Sequence, residues 1–229
     1  MNLHIRSLFS ALTLAASLAG TAAWADPGLD KSLLDVQNQW ARVMYQIPAK
    51  DQAAAFAKLD QEAKSLADRY PNRAEPLIWE AISLSGHAKA EGGLKGLGMA
   101  KDARTLLLQA ERIDPKALDG SVYSSLGGLY AKVPGWPLGF GDKSQAETYF
   151  KKALAINPNG MDPNYLYGDL LFDQNRYKEA EQVLERALHA PARPSRPLAD
   201  QGRKREIQAL VGQVRSKLAD AGTHKSYGG

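Results

Sequence analysis

The feature that most constrains the fold is a set of alanines and prolines that recurs at fixed offsets. Ala103 and Ala146 are 43 residues apart, as are Pro115 and Pro158, and a shorter offset of 34 residues joins Ala146 to Ala180. Each copy also carries apolar residues at helical spacing. A fixed period in this range is typical of helix pairs that bury their apolar faces against neighbouring pairs. The sequence therefore predicts an all-α solenoid of antiparallel helix pairs.

Proline and polar residues at the ends of the apolar stretches set the predicted helix boundaries. A proline ends a helix that precedes it and is tolerated in the first turn of one that follows. A final amphipathic helix is expected to cover the exposed face of the last pair. The predicted pairs span about 31–70, 75–115, 119–158 and 162–191, with a capping helix at 198–218 and a disordered tail at 221–229. The pair 31–70 follows the repeat pattern only loosely.

The later pairs resemble tetratricopeptide repeats. A unit of that family carries Leu-Gly and Tyr in its first helix, then Ala, Phe, Ala and Pro in its second. The matching residues are Leu126, Gly127, Tyr130, Ala146, Phe150, Ala153 and Pro158, followed by Tyr167, Gly168, Ala180 and Ala187. In the pair 75–115, Ser83 takes the place of the Gly and Gly86 the place of the Tyr.

The tetratricopeptide resemblance implies a binding scaffold. The first helices of such pairs line a concave groove where a partner protein or peptide docks. We expect four residues to line this groove: Tyr123, Tyr130, Asn164 and Tyr167.

The second and third pairs each contain an insertion, of eight and seven residues, and the second of these accounts for most of the lengthening of the offset from 34 to 43 residues. The Gly-to-Ala step is 12 residues in the fourth pair, 19 in the third and 20 in the second. Both insertions end in Gly-apolar-Gly, at 96–98 and 139–141, which predicts two related loops side by side. In one interpretation the glycines shape the turns and Leu97 or Phe140 fills the seam between helices. In the other, the loops are the rim of a ligand groove, with Trp136 and Phe140 as apolar contacts.

A narrower resemblance comes from residues 134–142, Pro-Gly-Trp-Pro-Leu-Gly-Phe-Gly-Asp, and the Asn-Pro-Asn-Gly turn at 157–160. With these motifs, Tyr123 to Leu218 is similar to the periplasmic T-component of tripartite ATP-independent periplasmic transporters and its uncharacterised relatives. That resemblance implies an accessory component of a solute-uptake system, which binds a solute-binding protein or a small apolar ligand. It is the alternative to a scaffold for another protein or peptide partner.

The first 25 residues are typical of a signal peptide. Arg6 precedes an apolar run from Leu8 to Ala19, and Ala23-Trp24-Ala25 fits the small-x-small rule for cleavage. The run is shorter than the roughly 20 residues that span a bilayer. We therefore predict cleavage after Ala25 and a periplasmic or secreted protein with no integral membrane segment in the mature chain.

Composition argues against several classes of function. The 229 residues include no cysteine, which removes disulfides, thiolate chemistry and Cys metal sites. A net charge of +4 is too small to indicate nucleic-acid binding. No Gly-x-Ser-x-Gly motif occurs, and we predict no metal or catalytic role for the four histidines. The chain is thus predicted to be non-enzymatic and without a cofactor, and its oligomeric state stays open.

One cluster of basic residues lies before and within the predicted capping helix, at Arg193, Arg196 and Arg203. It is either a solvated linker and helix start or a surface for an acidic partner or anionic lipid, because exposed arginines bind carboxylates and phosphates.

Overall fold

Helices account for all the regular secondary structure in residues 26–226, the part of the chain that the computed structural model describes; side chains are described for residues 26–221. The helices are α1 Pro27–Gln46, α2 Ala49–Arg69, α3 Ala74–Glu91, α4 Gly93–Ile113, α5 Ala117–Lys132, α6 Lys143–Ile156, α7 Met161–Asp173, α8 Tyr177–Leu188 and α9 Pro197–Ser226. The predicted signal peptide lies outside the described residues. Within residues 26–226, no helix combines the length and apolar character needed to cross a membrane.

Short acidic side chains fix the start of two helices. The Asp26 carboxylate accepts hydrogen bonds from the amides of Gly28 and Leu29, at 2.9 and 3.1 Å. Asp142 does the same for two amides in the first turn of α6, at 2.8 and 3.0 Å. Such caps satisfy first-turn amides that have no partner inside the helix. Asp142 therefore ends the second inserted loop at a defined residue.

Contacts between helices show how the array curves. The helices α3 and α4, α5 and α6, and α7 and α8 pack as antiparallel pairs. The odd-numbered helices α1, α3, α5 and α7 also contact one another in sequence, whereas the even-numbered helices α2, α4, α6 and α8 do not contact one another. The odd-numbered helices therefore line the inner face of the curve, and the even-numbered helices stand apart on the outer face.

Glycine in the first helix of a pair lets the second helix approach closely. A Cβ atom on Gly127 would lie 2.6 Å from the Phe150 ring, and one on Gly168 would lie 2.6 Å from Leu184. Neither distance is possible for a real Cβ, so a larger residue would force the helices apart. These contacts are the physical reason for the Leu-Gly position of the repeat.

The first insertion is helical, which corrects the prediction of two loops. Helix α3 continues to Glu91 and α4 begins at Gly93, so the added residues lengthen these helices. The turn between them uses positive φ at Gly92 and Gly93, of 68° and 56°, a conformation that glycine adopts at little cost. Only the second insertion, residues 133–142, is irregular. The two insertions are adjacent, since a Cβ on Gly139 would lie 3.2 Å from Leu97 Cδ1.

The last helix differs from its predicted form in length and in its contacts. It runs to Ser226, so residues 221–226 are helical where the sequence predicts a disordered tail. Its distal part, with Ile207, Val211 and Val214 buried, covers α7 and α8 as a cap. Its first turns also contact α1, at the opposite end of the array. The described helices therefore form a closed arrangement rather than an open arc.

Candidate functional site

The inner face, where the sequence places the groove, is covered by the chain itself. Residues 191–206, which we call the inner segment, extend from the end of α8 to the first turns of α9. Tyr45 of α1 donates a hydrogen bond to Glu206 at 3.2 Å, and Gly202 lies directly against the Tyr45 ring. Because the inner segment meets α1, α3 and α7, a partner peptide cannot lie along that face without displacing it.

Ion pairs at Asp162 of α7 hold the inner segment. The Asp162 carboxylate accepts hydrogen bonds from Arg193 at 2.6 Å and Arg203 at 2.8 Å. Burial opposes ionisation there, but the charges of Arg203 and Arg193 hold the pKa of Asp162 well below its usual range. Arg193 also donates to Asp200, at 2.7 Å. Two of the three arginines of the predicted basic cluster are therefore neutralised inside the molecule.

Arg196, the third arginine of that cluster, packs on an aromatic ring. Its guanidinium carbon lies 5.0 Å from the centre of the Trp79 ring of α3, within the range of a cation–π contact. Burial, together with the charge of Arg193, lowers the pKa of Arg196. The three arginines contact side chains of the same chain, which argues against an exposed basic surface. The residues between them, at 194 and 195, are exposed, as a solvated linker requires.

Tyr123 and Tyr130 lie in the seam between α4 and α6, on the outer side of α5. Their rings stack on Tyr149 with centroids 6.1 and 5.5 Å apart. Lys152 lies 5.0 Å from the centre of the Tyr123 ring, and Arg104 lies 5.8 Å from that of Tyr130. We call Tyr123, Tyr149 and Tyr130 the tyrosine ladder. It fills the seam, so these two residues do not line an inner groove.

Asn164 and Tyr167 are buried, which corrects their prediction as groove residues. Asn164 is 0% exposed, and its amide donates to the carbonyl oxygens of Pro158 and Gly160 at 2.8 and 2.9 Å. The Tyr167 hydroxyl donates to Glu147 at 2.9 Å. Burial and this bond raise the pKa of Tyr167 to about 12. Both residues join neighbouring helices and offer no surface to a partner.

The predicted rim residues have different surroundings. Phe140 packs in the seam, with its centroid 5.4 Å from that of Tyr130 and 4.6 Å from the guanidinium carbon of Arg104. Trp136 is 90% exposed and contributes nothing to the core. Phe140 therefore anchors the loop, and Trp136 alone of the two is accessible.

An open cleft lies on the outer face, over α3 and between α2 and α4. It consists of two adjoining parts of about 430 and 540 Å³. Its lining residues are Asp60, Gln61, Lys64, Ala67, Asp68, Pro71, Leu77, Glu80, Leu84, Asp102, Thr105, Leu106, Gln109, Arg112 and Ile113. We call this the outer cleft; the sequence analysis did not predict it.

The outer cleft corresponds to the seam that the tyrosine ladder fills in the next pair. The offset of 43 residues places Leu106 where α6 has Tyr149. Leu77 and Leu84, seven residues apart, line the cleft with Leu106, as Tyr123 and Tyr130 flank Tyr149. The three leucines thus occupy the positions that the tyrosine ladder occupies in the next pair. They do not fill the space between α2 and α4, which stays open.

This equivalence corrects the predicted register of α3. Leu84, rather than Gly86, holds the place of Tyr130. Gly86 instead faces α2, where a Cβ would lie 2.5 Å from the Phe56 ring. The sequence could have shown this through the seven-residue spacing of Leu77 and Leu84, which equals that of Tyr123 and Tyr130.

Carboxylates surround the apolar floor of the outer cleft. Asp60, Glu80 and Asp102 line one part of it together with Lys64, and Asp68 and Arg112 line the other part. Burial raises the pKa of Glu80, an effect that the charge of Lys64 opposes. Lys64 itself bonds to Asp68, at 2.8 Å. The cleft is therefore an apolar surface with an acidic border.

A buried Ser-Asp-His cluster beside the outer cleft could suggest catalysis, but its geometry is structural. Asp60 accepts a hydrogen bond from Ser83 at 2.6 Å and contacts His87 Nδ1 at 2.6 Å. Ser83 thus bonds to the carboxylate and not to the imidazole that would have to activate it. Glu91, four residues after His87, lies 3.7 Å from its other nitrogen, a pairing the sequence analysis missed. No group of acidic or histidine side chains within the described residues could hold a metal ion.

Comparisons with known proteins agree with the helix-pair architecture. A tetratricopeptide repeat family model matches residues 138–199. The structure is similar to TTC0263, a thermophilic TPR protein of Thermus thermophilus, with a TM-score of 0.52 and 20% identity over 75% of this chain and 80% of that chain. The fold is a tetratricopeptide repeat solenoid.

A second solved structure, MamA, has a TM-score of 0.42 and 17% identity, over 76% of this chain and 95% of that chain. No curated protein matches the sequence. The tetratricopeptide architecture confirms the predicted fold class.

Proposed function

We propose that this protein is an exported, non-enzymatic scaffold that binds a protein partner in its outer cleft. The observation that carries the proposal is the missing tyrosine ladder, which leaves an apolar cleft between two helices that the next pair closes. Tetratricopeptide solenoids bind partners in grooves between helices. Here the inner segment already covers the inner face, so the outer cleft is the groove left for a partner.

The lining of the outer cleft defines the chemistry of the partner. Leu77, Leu84 and Leu106 offer an apolar floor for aromatic or aliphatic side chains, as the tyrosines supply them in the neighbouring seam. Glu80 and Asp102 favour basic side chains at the border, because charge complementarity selects partners and orients them. The partner is therefore a protein segment that presents apolar and basic residues together.

Site-specific crosslinking in the cell envelope tests this proposal. Thr105 and Thr148 are equivalent exposed threonines, 43 residues apart, on α4 and α6. Thr105 lines the open cleft, whereas Thr148 lies beside the filled seam. A photo-crosslinking residue at position 105 is expected to capture a discrete protein, and the same residue at 148 is the matched control. Equal capture of the protein from positions 105 and 148 would contradict the proposal.

Leu106→Tyr provides the second arm of the test. It introduces the residue that α6 carries at the equivalent position, so it narrows the cleft without removing a core side chain. We expect crosslinking from position 105 to fall about 5- to 150-fold, since one lost apolar contact of this size costs about 1 to 3 kcal/mol. Circular dichroism should show an unchanged fold. Undiminished capture by a folded Leu106→Tyr variant would contradict binding in the cleft.

The resemblance to the transporter T-component remains a separate prediction. It requires a solute-binding protein as the captured partner and loss of uptake of a particular solute when the gene is deleted. Wild-type uptake of all tested solutes would count against it.

A further inference from the structure

Large apolar side chains are strongly exposed at the start of α4 and in the loop 133–142. Trp136 is 90% exposed, Leu94 84% and Leu138 67%. Ile113, at 43%, is the remaining strongly exposed large apolar side chain among the described residues. It lies 19 positions along α4 from Leu94, about 28 Å at the helical rise of 1.5 Å per residue. The three exposed side chains therefore form a local feature, not a general property of the surface.

The start of α4 and the loop 133–142 form this edge together; we call it the loop edge. Leu97 of α4 lies against Gly139, and Arg104 lies over Phe140. Leu94, Leu97, Lys101 and Arg104 are spaced three or four residues apart, so they share one face of α4. That face runs beside the loop and brings Leu94 to the same side as Trp136 and Leu138.

Hydrogen bonds hold the loop in one shape. The amide of Gly141 donates to the carbonyl oxygen of Pro134, and that of Asp142 to Tyr130, both at 2.9 Å. The amide of Gly139 donates to Gly135 at 3.1 Å. With Phe140 packed in the seam, the chain between these anchors keeps Trp136 and Leu138 in solvent. A preformed loop loses little conformational entropy when it binds.

Positive charge borders the exposed apolar groups. Lys101, Arg104 and Lys143 form no ion pair with any described residue. Asp102, the acidic neighbour of Lys101, lines the outer cleft on a different face of α4. The Asp142 carboxylate is engaged as the cap of α6. The loop edge thus combines protruding apolar side chains with cations that have no carboxylate partner.

We propose that the loop edge binds the surface of an anionic lipid bilayer. Trp136 and Leu138 insert at the level of the headgroups, where tryptophan is favoured. Lys101, Arg104 and Lys143 contact lipid phosphates, since basic residues near an anionic leaflet each strengthen attachment. A lipid surface fits better than a protein partner because the apolar side chains protrude on a loop and are not set in a packed, flat surface of interface size. This inference does not depend on the outer cleft.

Vesicle sedimentation with the chain that begins at Asp26 tests the proposal, because every described helix lies after that residue. The vesicles are phosphatidylcholine alone or phosphatidylcholine with about one third phosphatidylglycerol. The protein is expected to sediment with the anionic vesicles, less with the neutral ones, and less again in about 0.5 M salt, where charge attraction is screened. Trp136→Ser with Leu138→Ser should weaken binding at least about tenfold. Ile113→Ser changes an exposed apolar residue of the outer cleft, at the other end of α4 from the loop edge, and is the matched control that should sediment with vesicles as the wild type does.

Tryptophan fluorescence gives an independent readout. Trp40 and Trp79 lie in the protein and Trp136 in solvent, so a blue shift on adding anionic vesicles reports Trp136. Trp136→Phe should abolish the shift while retaining most sedimentation. The proposal is overturned if the wild-type protein does not bind anionic vesicles, or if the folded double-serine variant binds them as strongly as the wild type does. Crosslinking of a discrete protein at position 136 without vesicle binding would identify a protein interface and overturn it too.

Discussion

Single side chains decide which seams of this solenoid are closed. Tyr149 has ring partners on both sides, whereas its equivalent Leu106 faces two leucines across open space. Aromatic pairs at these distances contribute about 0.5 to 1.5 kcal/mol beyond the area they bury. The chain forgoes that stabilisation at the outer cleft.

Two adjacent glycines allow a test of the close approach between α5 and α6. Gly127 faces Phe150, whereas a Cβ on Gly128 would meet nothing within 4 Å. Gly127→Ala should lower the free energy of unfolding by about 1 to 3 kcal/mol, because the buried ring has no room to move. Gly128→Ala should raise it by about 0.5 to 1 kcal/mol through helix propensity. Urea denaturation measures both, and equal effects of the two changes would refute the packing argument.

The residues whose positions were predicted correctly are those whose contacts lie within one helix pair and recur in each repeat. Gly127, Ala146 and Phe150 occupy the core positions that the repeat pattern assigns, since helix packing alone determines them. The partner-binding predictions failed for Asn164 and Tyr167 because the repeat pattern gives the face of a helix but not what covers that face. Arg193, Arg196 and Arg203 failed for the same reason, as their partners lie on helices far away in the sequence.

At the scale of helices, one carboxylate joins three elements near the end of the array. Glu147 of α6 accepts hydrogen bonds from Tyr167 of α7 at 2.9 Å and from Arg176, which precedes α8, at 2.7 Å. The hydrogen bond from Arg176 lowers the pKa of Glu147 to about 2. Burial opposes this shift, whereas hydrogen bonds from Lys151 and Tyr167 add to it. The ionised form of this group therefore stabilises the packing of α6 against α7 and α8.

This lowered pKa predicts a pH dependence of stability. Because the folded pKa lies below the unfolded one, the contribution of Glu147 is present above about pH 4.5 and is lost as the pH falls towards 2. Glu147→Gln should thus be less stable than the wild type at about pH 6 and show a shallower loss of stability between about pH 5 and 2.5. Urea midpoints across that range measure it. Asp35→Asn, which changes an exposed carboxylate without an ion pair among the described residues, should keep the wild-type slope.

The two insertions show why helix boundaries were harder to predict than helix identity. Gly-Leu-Gly and Gly-Phe-Gly look alike in sequence, yet the first became part of α4 and the second part of a loop. Glycine permits a turn but does not require one, and helix α4 gains packing against α3 along its added length. The loop at 133–142 contains two prolines, which lack the amide that a continuous helix needs.

Over the whole molecule, the inner segment makes the ends of the array interdependent. In an open solenoid each pair contacts only its neighbours, and stability is nearly a sum of local terms. Here Tyr45, Gly202 and Glu206 join the first helix to the last. No sequence pattern predicts this closure, because it depends on the curvature that accumulates over all the pairs.

Asp162→Asn tests how the inner segment is held. It removes the one carboxylate that Arg193 and Arg203 share, although each keeps a second carboxylate partner within the inner segment. Amide protection in residues 197–206 should therefore fall by about 10- to 100-fold in hydrogen exchange. Protection in α5 and α6 should change little. Asp173→Asn, on the same helix, removes only a surface ion pair with Lys132 (2.7 Å) and should have at most a small effect. A uniform loss of protection over all helices, or equal effects of the two variants, would contradict this role of Asp162.

Contact between α1 and α9 also bears on how such a chain can change during evolution. Open solenoids gain or lose units by duplication and deletion, because a new unit needs only two compatible neighbours. In this protein an added or missing helix pair would rotate the last helix away from Tyr45 and separate Arg196 from Trp79. The contacts between the two ends are therefore compatible with one number of pairs, whereas a longer α3 and α4 or a longer loop around Trp136 leaves them in place.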